Sequence, residues 1–274
     1  MQLKNGENKQ KTTRSASMNN LAVDYIEELY NTRNDKDILK FNRRSKRKTQ
    51  IKQKQSLQLQ NVTPMTANQK RVFALYDKGE NVLLHGVAGT GKTFLSMYLA
   101  LDDVMNGTDN RDRVVIIRSA VPSRDMGFLP GKEAEKTAVY EQPYNDICSE
   151  IMNRGDGYSI LKTKGMIEFI STSYIRGTTI DNAVVIVDEF QNMTDSELNT
   201  IMTRIGTNTR VLICGDFRQT DLTRSWDSSG AQTLIALWGK MGHKASKVEF
   251  GIEDIVRSGF VREWIEARIE MGLA

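Results

Sequence analysis

From Pro64 onward, short apolar runs alternate with longer amphipathic segments. Strands covered on both faces form nearly continuous apolar runs, whereas half-exposed strands alternate between apolar and polar residues. Five runs are of the continuous kind, and a sixth, Lys247–Phe250, is weaker. The five predicted buried strands are Asn81–His85, Arg113–Arg118, Ile167–Ser171, Ala183–Val187 and Arg210–Cys214.

Segments with helical periodicity separate these runs. The predicted helices are Asn68–Asp77, Lys92–Met105, Glu133–Met152, Asp195–Ile205, Ala231–Met241 and Gly259–Met271. Strands that are joined through helices form right-handed crossovers and therefore a parallel sheet. The pattern predicts one α/β domain over residues 61–274, with a mostly parallel sheet and helices on both of its faces.

The first 60 residues are different in character, because they are mostly polar and strongly basic. They carry 14 Lys and Arg against 6 Asp and Glu, a net charge of +8, whereas the remaining residues sum to −4. Lys40 to Lys54 contains eight basic residues and no acidic one. We predict a basic, mobile arm over residues 1–60 with one short helix, Asn20–Thr32. Its charge favours a polyanion such as nucleic acid as a partner.

Composition excludes several classes of protein. No apolar run approaches 18 residues, which predicts no transmembrane helix and no membrane partner. The first residues lack the apolar segment of a secretory signal. Cys148 and Cys214 match no metal-binding or redox spacing, so we expect two reduced, buried thiols. Together these features predict a cytoplasmic protein.

A glycine-rich segment follows the first predicted strand and precedes a predicted helix. It has the pattern G-x-x-x-x-G-K-[ST], whose backbone N–H groups and helix N-terminus bind phosphate. We therefore predict that ATP binds here, with Lys92 at the β- and γ-phosphates and the Thr93 hydroxyl at Mg²⁺. The predicted nucleotide-binding residues of this phosphate loop are Gly86, Val87, Ala88, Gly89, Thr90, Gly91, Lys92 and Thr93.

Two acidic residues directly follow the fourth of the five apolar runs, Ala183–Val187. A carboxylate at this position, Asp188, is suited to the water shell of Mg²⁺ beside the phosphate loop. The adjacent Glu189 is a candidate to orient or deprotonate the attacking water. The pair favours nucleotide hydrolysis over phosphoryl transfer to a small acceptor.

Two glutamines complete the candidate site. Gln219 follows the Arg210–Cys214 strand, at the edge where α/β sheets bind ligands, and is a candidate γ-phosphate sensor. Gln69 lies 17 residues before Gly86, and its amide is suited to the adenine edge. On spacing alone, the Thr66–Gln69 segment is equally explained as a helix start that is capped by Thr66.

The order of several short motifs resembles that of PhoH-like proteins. These motifs include the phosphate loop, Gly127-Phe-Leu-Pro-Gly131, Tyr174-Ile-Arg-Gly-Thr178, Val187-Asp-Glu-Phe-Gln-Asn192, Gly215-Asp-Phe-Arg-Gln-Thr-Asp221 and Asp254-Ile-Val-Arg257. PhoH-like proteins are P-loop ATPases whose sheet is similar to one motor domain of superfamily 1 helicases. The resemblance spans about residues 64–274 and implies a RecA-like P-loop NTPase fold.

The resemblance also implies roles for individual residues. It supports Gln69 at adenine, Lys92 and Thr93 at phosphate and metal, Asp188 and Glu189 at Mg²⁺ and water, and Gln219 as sensor. It suggests that Arg118 and the loop around Phe128 lie where helicases pass single-stranded nucleic acid. The chain departs from the family at Ser119, where Pro is usual, and at Phe190, where Ala is usual.

Nucleotide hydrolysis of this kind gains from an arginine placed against the developing charge of the γ-phosphate. The chain has no room for a second motor domain to supply it, so Arg257 or Arg204 is the candidate, in cis or from a neighbouring subunit. We predict a ring-shaped homo-oligomer, with a hexamer as the expected size.

Two functions remain open at this stage. The first is an ATPase that couples hydrolysis to binding, remodelling or unwinding of single-stranded nucleic acid, with RNA favoured over DNA. The second is a nucleotide-gated binding or regulatory protein without helicase activity.

Overall fold

One sheet of six parallel strands lies at the centre of the protein. The strands are β1 (Asn81–Gly86), β2 (Arg113–Arg118), β3 (Ile167–Ser171), β4 (Ala183–Asp188), β5 (Arg210–Gly215) and β6 (Ala245–Phe250). Their order across the sheet is β3-β2-β4-β5-β1-β6, and every adjacent pair is parallel. Strand β5 therefore separates β1, which leads into the phosphate loop, from β4, which ends in the acidic pair.

The structure is a computed structural model that describes residues 57–107, 109–119, 133–175, 177, 179–216, 230–242 and 244–272, with the backbone alone for residues 133–137. The arm predicted over residues 1–60 lies almost entirely outside this set, as does its predicted helix. The phosphate-loop domain falls within one compact unit, residues 58–274. Among the described helices, none has the length and apolar character needed to cross a membrane.

Helices cover both faces of the sheet. They are α1 (Ala67–Asp77), α2 (Lys92–Asn106), α3 (Glu133–Met152), α4 (Gly157–Thr163), α5 (Asp195–Met202), α6 (Ala231–Met241) and α7 (Gly259–Glu270).

The side chains of two neighbouring strands, β4 and β5, show how the two faces of the sheet are filled. On one face, Val185 and Val187 of β4 belong to a buried cluster with Leu198 of α5 and Leu234 of α6. On the other face, Cys214 of β5 meets Ser96 of α2 at 2.9 Å. Because both faces are covered, the strands need apolar residues at consecutive positions, and the continuous runs in the sequence reflect this. The fold is the RecA-like P-loop NTPase fold predicted above.

The observed boundaries differ from the predicted ones at a few ends. The helix predicted to reach Ile205 ends at Met202, because Ile205 forms a parallel bridge with Ile180. The weak sixth strand begins at Ala245, two residues earlier than predicted. Helix α4 is missed by the sequence pattern, since its seven residues are too few to show helical periodicity.

A buried polar cluster joins α1 and α2 to the start of β5. The carboxylate of Asp103 accepts hydrogen bonds from Tyr76 at 2.6 Å and from Arg111 at 2.7 Å. The Arg210 guanidinium lies 4.2 Å from the centre of the Tyr76 ring and 4.0 Å from Asp103. Asp103 is therefore the shared anion of two largely buried cations.

Replacing Asp103 with Ala should destabilise the domain strongly, since it removes the buried carboxylate that Tyr76, Arg111 and Arg210 share. Arg111 would keep the exposed carboxylate of Asp109 as a partner. We expect the free energy of unfolding to fall by about 3–5 kcal/mol in denaturant titration.

The matched control is Asp102→Ala, which removes a neighbouring carboxylate whose bond to Asn106 is exposed to solvent. It should change stability by less than about 0.5 kcal/mol. Equal losses from the two variants would contradict the role given to the cluster.

Candidate nucleotide-binding site

The phosphate loop connects β1 to α2 in a tightly turned conformation. Gly86 has φ of 121° and Gly89 has φ of 76°, a region that residues with a Cβ rarely adopt. A Cβ on Gly86 would also overlap the backbone of Phe250 in β6. Backbone conformation thus requires a glycine at both positions, and at Gly86 the lack of space requires it as well.

Backbone hydrogen bonds from the last part of the chain hold this loop. The Val87 N–H donates to the Phe250 carbonyl at 3.0 Å, and the Val256 N–H donates to the Gly89 carbonyl at 3.1 Å. Inside the loop, the Thr90 hydroxyl donates to the Val87 carbonyl at 3.0 Å. Hydrogen bonds within the protein therefore hold the loop in its turned conformation.

The ammonium group of Lys92 points back into the loop. Its Nζ donates to the carbonyls of Gly86 at 2.8 Å and Val87 at 2.7 Å. Burial lowers the pKa of Lys92, while the nearby carboxylates of Asp216, Glu189 and Asp188 oppose this shift. Lys92 is thus held by neutral carbonyl groups, which a phosphate oxygen can replace as a stronger, charged acceptor.

Thr93 and Asp188, the two predicted Mg²⁺ ligands, lie within hydrogen-bonding distance of each other. The Thr93 hydroxyl, in the first turn of α2, donates to Asp188 Oδ1 at 2.9 Å. Asp188 is the last residue of β4 and is only 3% exposed. A hydroxyl and a carboxylate are hard oxygen ligands, so this pair fits Mg²⁺. Among the described residues, no group of three or more His, Cys, Asp or Glu could hold a metal ion, and the remaining ligands would have to be phosphate and water.

Asp188 has a second partner that sequence reasoning missed. The Tyr144 hydroxyl, from α3, donates to Asp188 Oδ2 at 2.8 Å. Burial and the negative charge of Asp188 raise the pKa of Tyr144 well above its ordinary value, so the hydroxyl keeps its proton. Nothing in the sequence indicates this contact, because 44 residues separate the two positions.

Glu189 leaves the line of the strand. Its backbone is left-handed, with φ of 53°, and its side chain accepts a hydrogen bond from Gln191 Nε2. The Gln191 side-chain oxygen in turn accepts the backbone N–H of Asp216 at 3.1 Å. Gln191 therefore connects the candidate base on β4 with the end of β5. It belongs to the quoted Val187–Asn192 motif, which is the signal that could have identified it.

Gln69 lies against the phosphate loop. Its Nε2 donates to the Thr90 carbonyl at 3.1 Å, and its Oε1 accepts the Met65 N–H at 2.7 Å. Thr66 caps the same helix, because its hydroxyl accepts the Gln69 N–H at 3.3 Å. Both explanations offered by the sequence are therefore compatible with the local structure. The two side-chain bonds use one N–H and one lone pair of the amide, and the adenine contact stays a prediction.

The two candidate arginines are placed differently. Arg257 is exposed and lies beside the phosphate loop of its own chain, with its Cγ 3.0 Å from the position of a Cβ on Gly89. The Arg204 carbonyl accepts the N–H of Ile180, which precedes β4. Arg204 therefore lies near the amino ends of the strands, whereas the phosphate loop lies at their carboxyl ends. Asp254 positions the turn before Arg257 by accepting from Asn68 at 2.7 Å, a contact that the sequence did not indicate.

These elements enclose a cavity of about 490 Å³, a volume typical of small-ligand sites. It lies at the carboxyl ends of the strands, where α/β sheets bind ligands. Gln219 and the loop around Phe128 lie outside the described residues, as do Arg176 and Thr178. The described predicted residues that line the cavity are Gln69, Ala88, Gly89, Thr90, Gly91, Lys92, Thr93, Asp188, Glu189 and Arg257.

The fold and this cavity define a P-loop nucleotide-binding protein. The family model for "PhoH-like protein" matches residues 61–268. A PhoH-like protein of Bacillus subtilis is 34% identical over 203 residues, which cover 74% of this chain and 62% of the relative. Protein PhoH of Escherichia coli K12 is 34% identical over 184 residues, covering 66% of this chain and 51% of the relative. The chain belongs to the PhoH-like family, and it spans between half and two thirds of the length of these relatives.

Among solved structures, the chain is similar to the large terminase of a thermophilic bacteriophage, solved in complex with ADP. The TM-score is 0.46 at 12% identity, over 74% of this chain and 50% of the terminase. It is also similar to the Pif1 helicase of Candida albicans, with a TM-score of 0.35 at 15% identity over 69% and 40% of the two chains.

Desolvation of Asp188 leads to a pH-dependent prediction. Burial, with a further contribution from the charge of Glu189, raises the pKa of Asp188 from 3.8 to about 6. Without Mg²⁺, ionisation of Asp188 therefore lowers the free energy of unfolding by about 3 kcal/mol above pH 6. This loss is absent below pH 3.8, because the carboxyl group is then protonated in both the folded and the unfolded chain. Asp188→Asn should be more stable than the wild type at about pH 7.5 without Mg²⁺, and its advantage should fall by about half at about pH 5.

Thermal and denaturant unfolding at the two pH values, in EDTA, measure this difference. The control is Asp112→Asn, which changes an exposed carboxylate in a surface ion pair and should give no pH-dependent difference. A stability advantage of Asp188→Asn that is equal at both pH values would show that charge burial is not its origin.

Proposed function

We propose that the domain is a Mg²⁺-dependent ATPase. The observation that carries the proposal is the contact between Thr93 and Asp188, 2.9 Å apart, in the same cavity as the half-buried side chain of Lys92. Thr93 and Asp188 would hold Mg²⁺, and the positive charge of the ion would offset the negative charge of the phosphates. Lys92 would leave its loop carbonyls for the β- and γ-phosphates, and the loop N–H groups would hold the phosphate chain.

The charge of the cavity supports a requirement for a divalent cation. Among the described residues that line it, Glu150, Asp188, Glu189 and Asp216 are acidic, and Lys92 and Arg257 are basic. A triphosphate brought close to these four carboxylates would be repelled by them unless a cation came with it.

Glu189 is the proposed base or water-positioning residue. It lies next to the proposed metal ligand, yet its left-handed backbone turns it away from the strand direction. Gln191 donates a hydrogen bond to the Glu189 carboxylate and accepts one from the backbone N–H of Asp216, just after β5. A movement of the loop after β5 would therefore change the position of Glu189. Gln219, in that loop, is the proposed γ-phosphate sensor.

We also propose that hydrolysis is coupled to binding or unwinding of RNA or single-stranded DNA in the cytoplasm. Arg118, at the carboxyl end of β2, precedes the segment proposed to contact the strand. The basic arm would add contacts to phosphates that do not depend on sequence. The alternative is a nucleotide-gated regulatory protein, and the presence of Glu189 favours turnover over a pure switch.

Two substitutions test the ATPase and separate it from the switch. Lys92→Ala should abolish nucleotide binding. Glu189→Gln should keep binding and lose turnover by about 10²–10⁴-fold, since the water is no longer activated. Both proteins and the wild type are compared by fluorescent-nucleotide binding, phosphate release and displacement of a labelled strand from RNA and DNA duplexes. Turnover in the wild type that neither RNA nor DNA stimulates, with no duplex opened, would favour the switch. A Glu189→Gln protein that hydrolyses normally would contradict its assigned role.

We propose that Arg257 acts on the nucleotide of its own subunit, because it lies beside its own Gly89. Arg257→Ala should bind ATP normally and lose turnover by about 10³-fold or more. Mixing it with Lys92→Ala, which retains Arg257, should not restore hydrolysis. Recovery on mixing would show that the arginine acts between subunits.

The proposed homo-oligomeric ring is tested separately, by light scattering in the presence of ATP and Mg²⁺. A protein that is only monomeric under these conditions would contradict the ring.

A further inference from the structure

Tyr144 occupies an unusual position for a residue of the central part of α3. Its side chain is fully buried, and its hydroxyl lies 2.8 Å from Asp188 Oδ2. The other oxygen of the same carboxylate accepts the Thr93 hydroxyl. Asp188 is thus held on both sides, by α2 through Thr93 and by α3 through Tyr144.

The direction of the Tyr144 hydrogen bond follows from its acceptor. An ionised carboxylate only accepts hydrogen bonds, so the single hydroxyl proton of Tyr144 is directed to Asp188 Oδ2. Oδ1 of the same carboxylate accepts the Thr93 hydroxyl. Both oxygens of Asp188 therefore have a hydroxyl donor from a different helix.

This arrangement restricts the carboxylate that would face the metal. A buried carboxylate loses hydration and is held by the donors around it. With Tyr144 on Oδ2, rotation of the carboxyl group about its last bond would break a buried hydrogen bond, so Oδ1 stays directed toward Thr93. Partners of metal ligands that act in this way typically change metal affinity by about 10–100-fold when removed.

We infer that Tyr144 is a positioning residue that orients Asp188 for Mg²⁺. The inference rests on the proposed function, because it requires Mg²⁺ at Asp188. It also makes α3 part of the nucleotide site, although this helix belongs neither to the phosphate loop nor to the acidic pair.

The chain provides a matched control for a purely structural role. Tyr158 is also buried, at 5% exposure, and its hydroxyl also donates to a carboxylate, Glu141 Oε2, at 2.8 Å. Glu141 lies on α3 but does not line the nucleotide cavity. Tyr144→Phe and Tyr158→Phe therefore remove the same group from similar surroundings, and only the first acts on Asp188.

The test measures binding of a fluorescent ATP analogue while Mg²⁺ is titrated, with a parallel measurement in EDTA. Tyr144→Phe should raise the Mg²⁺ concentration for half-saturation by about 10-fold. Its nucleotide affinity in EDTA should stay within about twofold of the wild type, since no phosphate contact is lost. Tyr158→Phe should change neither quantity.

The outcomes separate the inference from the proposed function. If the wild type responds to Mg²⁺ and Tyr144→Phe has the same response, or shifts no more than Tyr158→Phe, the positioning role is overturned. If Tyr144→Phe does not fold, Tyr144→Met, which likewise lacks the hydroxyl, is measured in its place, and an unchanged Mg²⁺ response in that variant overturns the positioning role. A wild type that binds no nucleotide, or binds it without regard to Mg²⁺, overturns the proposed function itself and the inference with it.

Discussion

The hydrogen bond between Thr93 and Asp188 is the contact on which the site depends. It joins the first turn of α2, the helix that follows β1, to the end of β4. In the sheet, β5 lies between β1 and β4. The bond forms only if β1, β5 and β4 are in the observed order and register, so the whole centre of the sheet determines it. Burying the carboxylate is costly, which explains why hydroxyl donors from two helices surround it. Function and stability are opposed at this one side chain.

The last part of the chain is as much a component of the nucleotide site as the phosphate loop. Strand β6 supplies the Phe250 carbonyl to Val87, and the following turn supplies the Val256 N–H to Gly89. Asp254 attaches that turn to α1 through Asn68. Since α1 also brings Gln69 to the loop, the beginning and end of the domain converge on the same few backbone groups. A ligand-induced change in the loop would thereby reach both.

Much of the fold was predictable because its strands are covered on both faces. Continuous apolar runs placed the strands within about two residues, and the glycine pattern placed the phosphate loop. Prediction failed where periodicity is absent or where a distant contact decides the outcome. Helix α4 is too short to show a period, and α5 ends early because Ile205 pairs with Ile180. Phe190 is fully buried beside Gly215, where a Cβ would overlap its ring, and this contact too joins segments that are distant in sequence.

The sequence by itself determined the features that depend on local rules. These are the glycines of the loop, the acidic residues at a strand end, the lysine and threonine at the start of a helix, and the unequal distribution of charge between residues 1–60 and the rest of the chain. Tertiary structure alone decided the partners of those residues. Tyr144 meets Asp188, Gln191 meets Asp216, and Asn68 meets Asp254 across 44, 25 and 186 residues of chain. Such contacts depend on strand order and on how each helix is rotated against the sheet. Both are set by the packing of the whole core, which no short segment of sequence encodes.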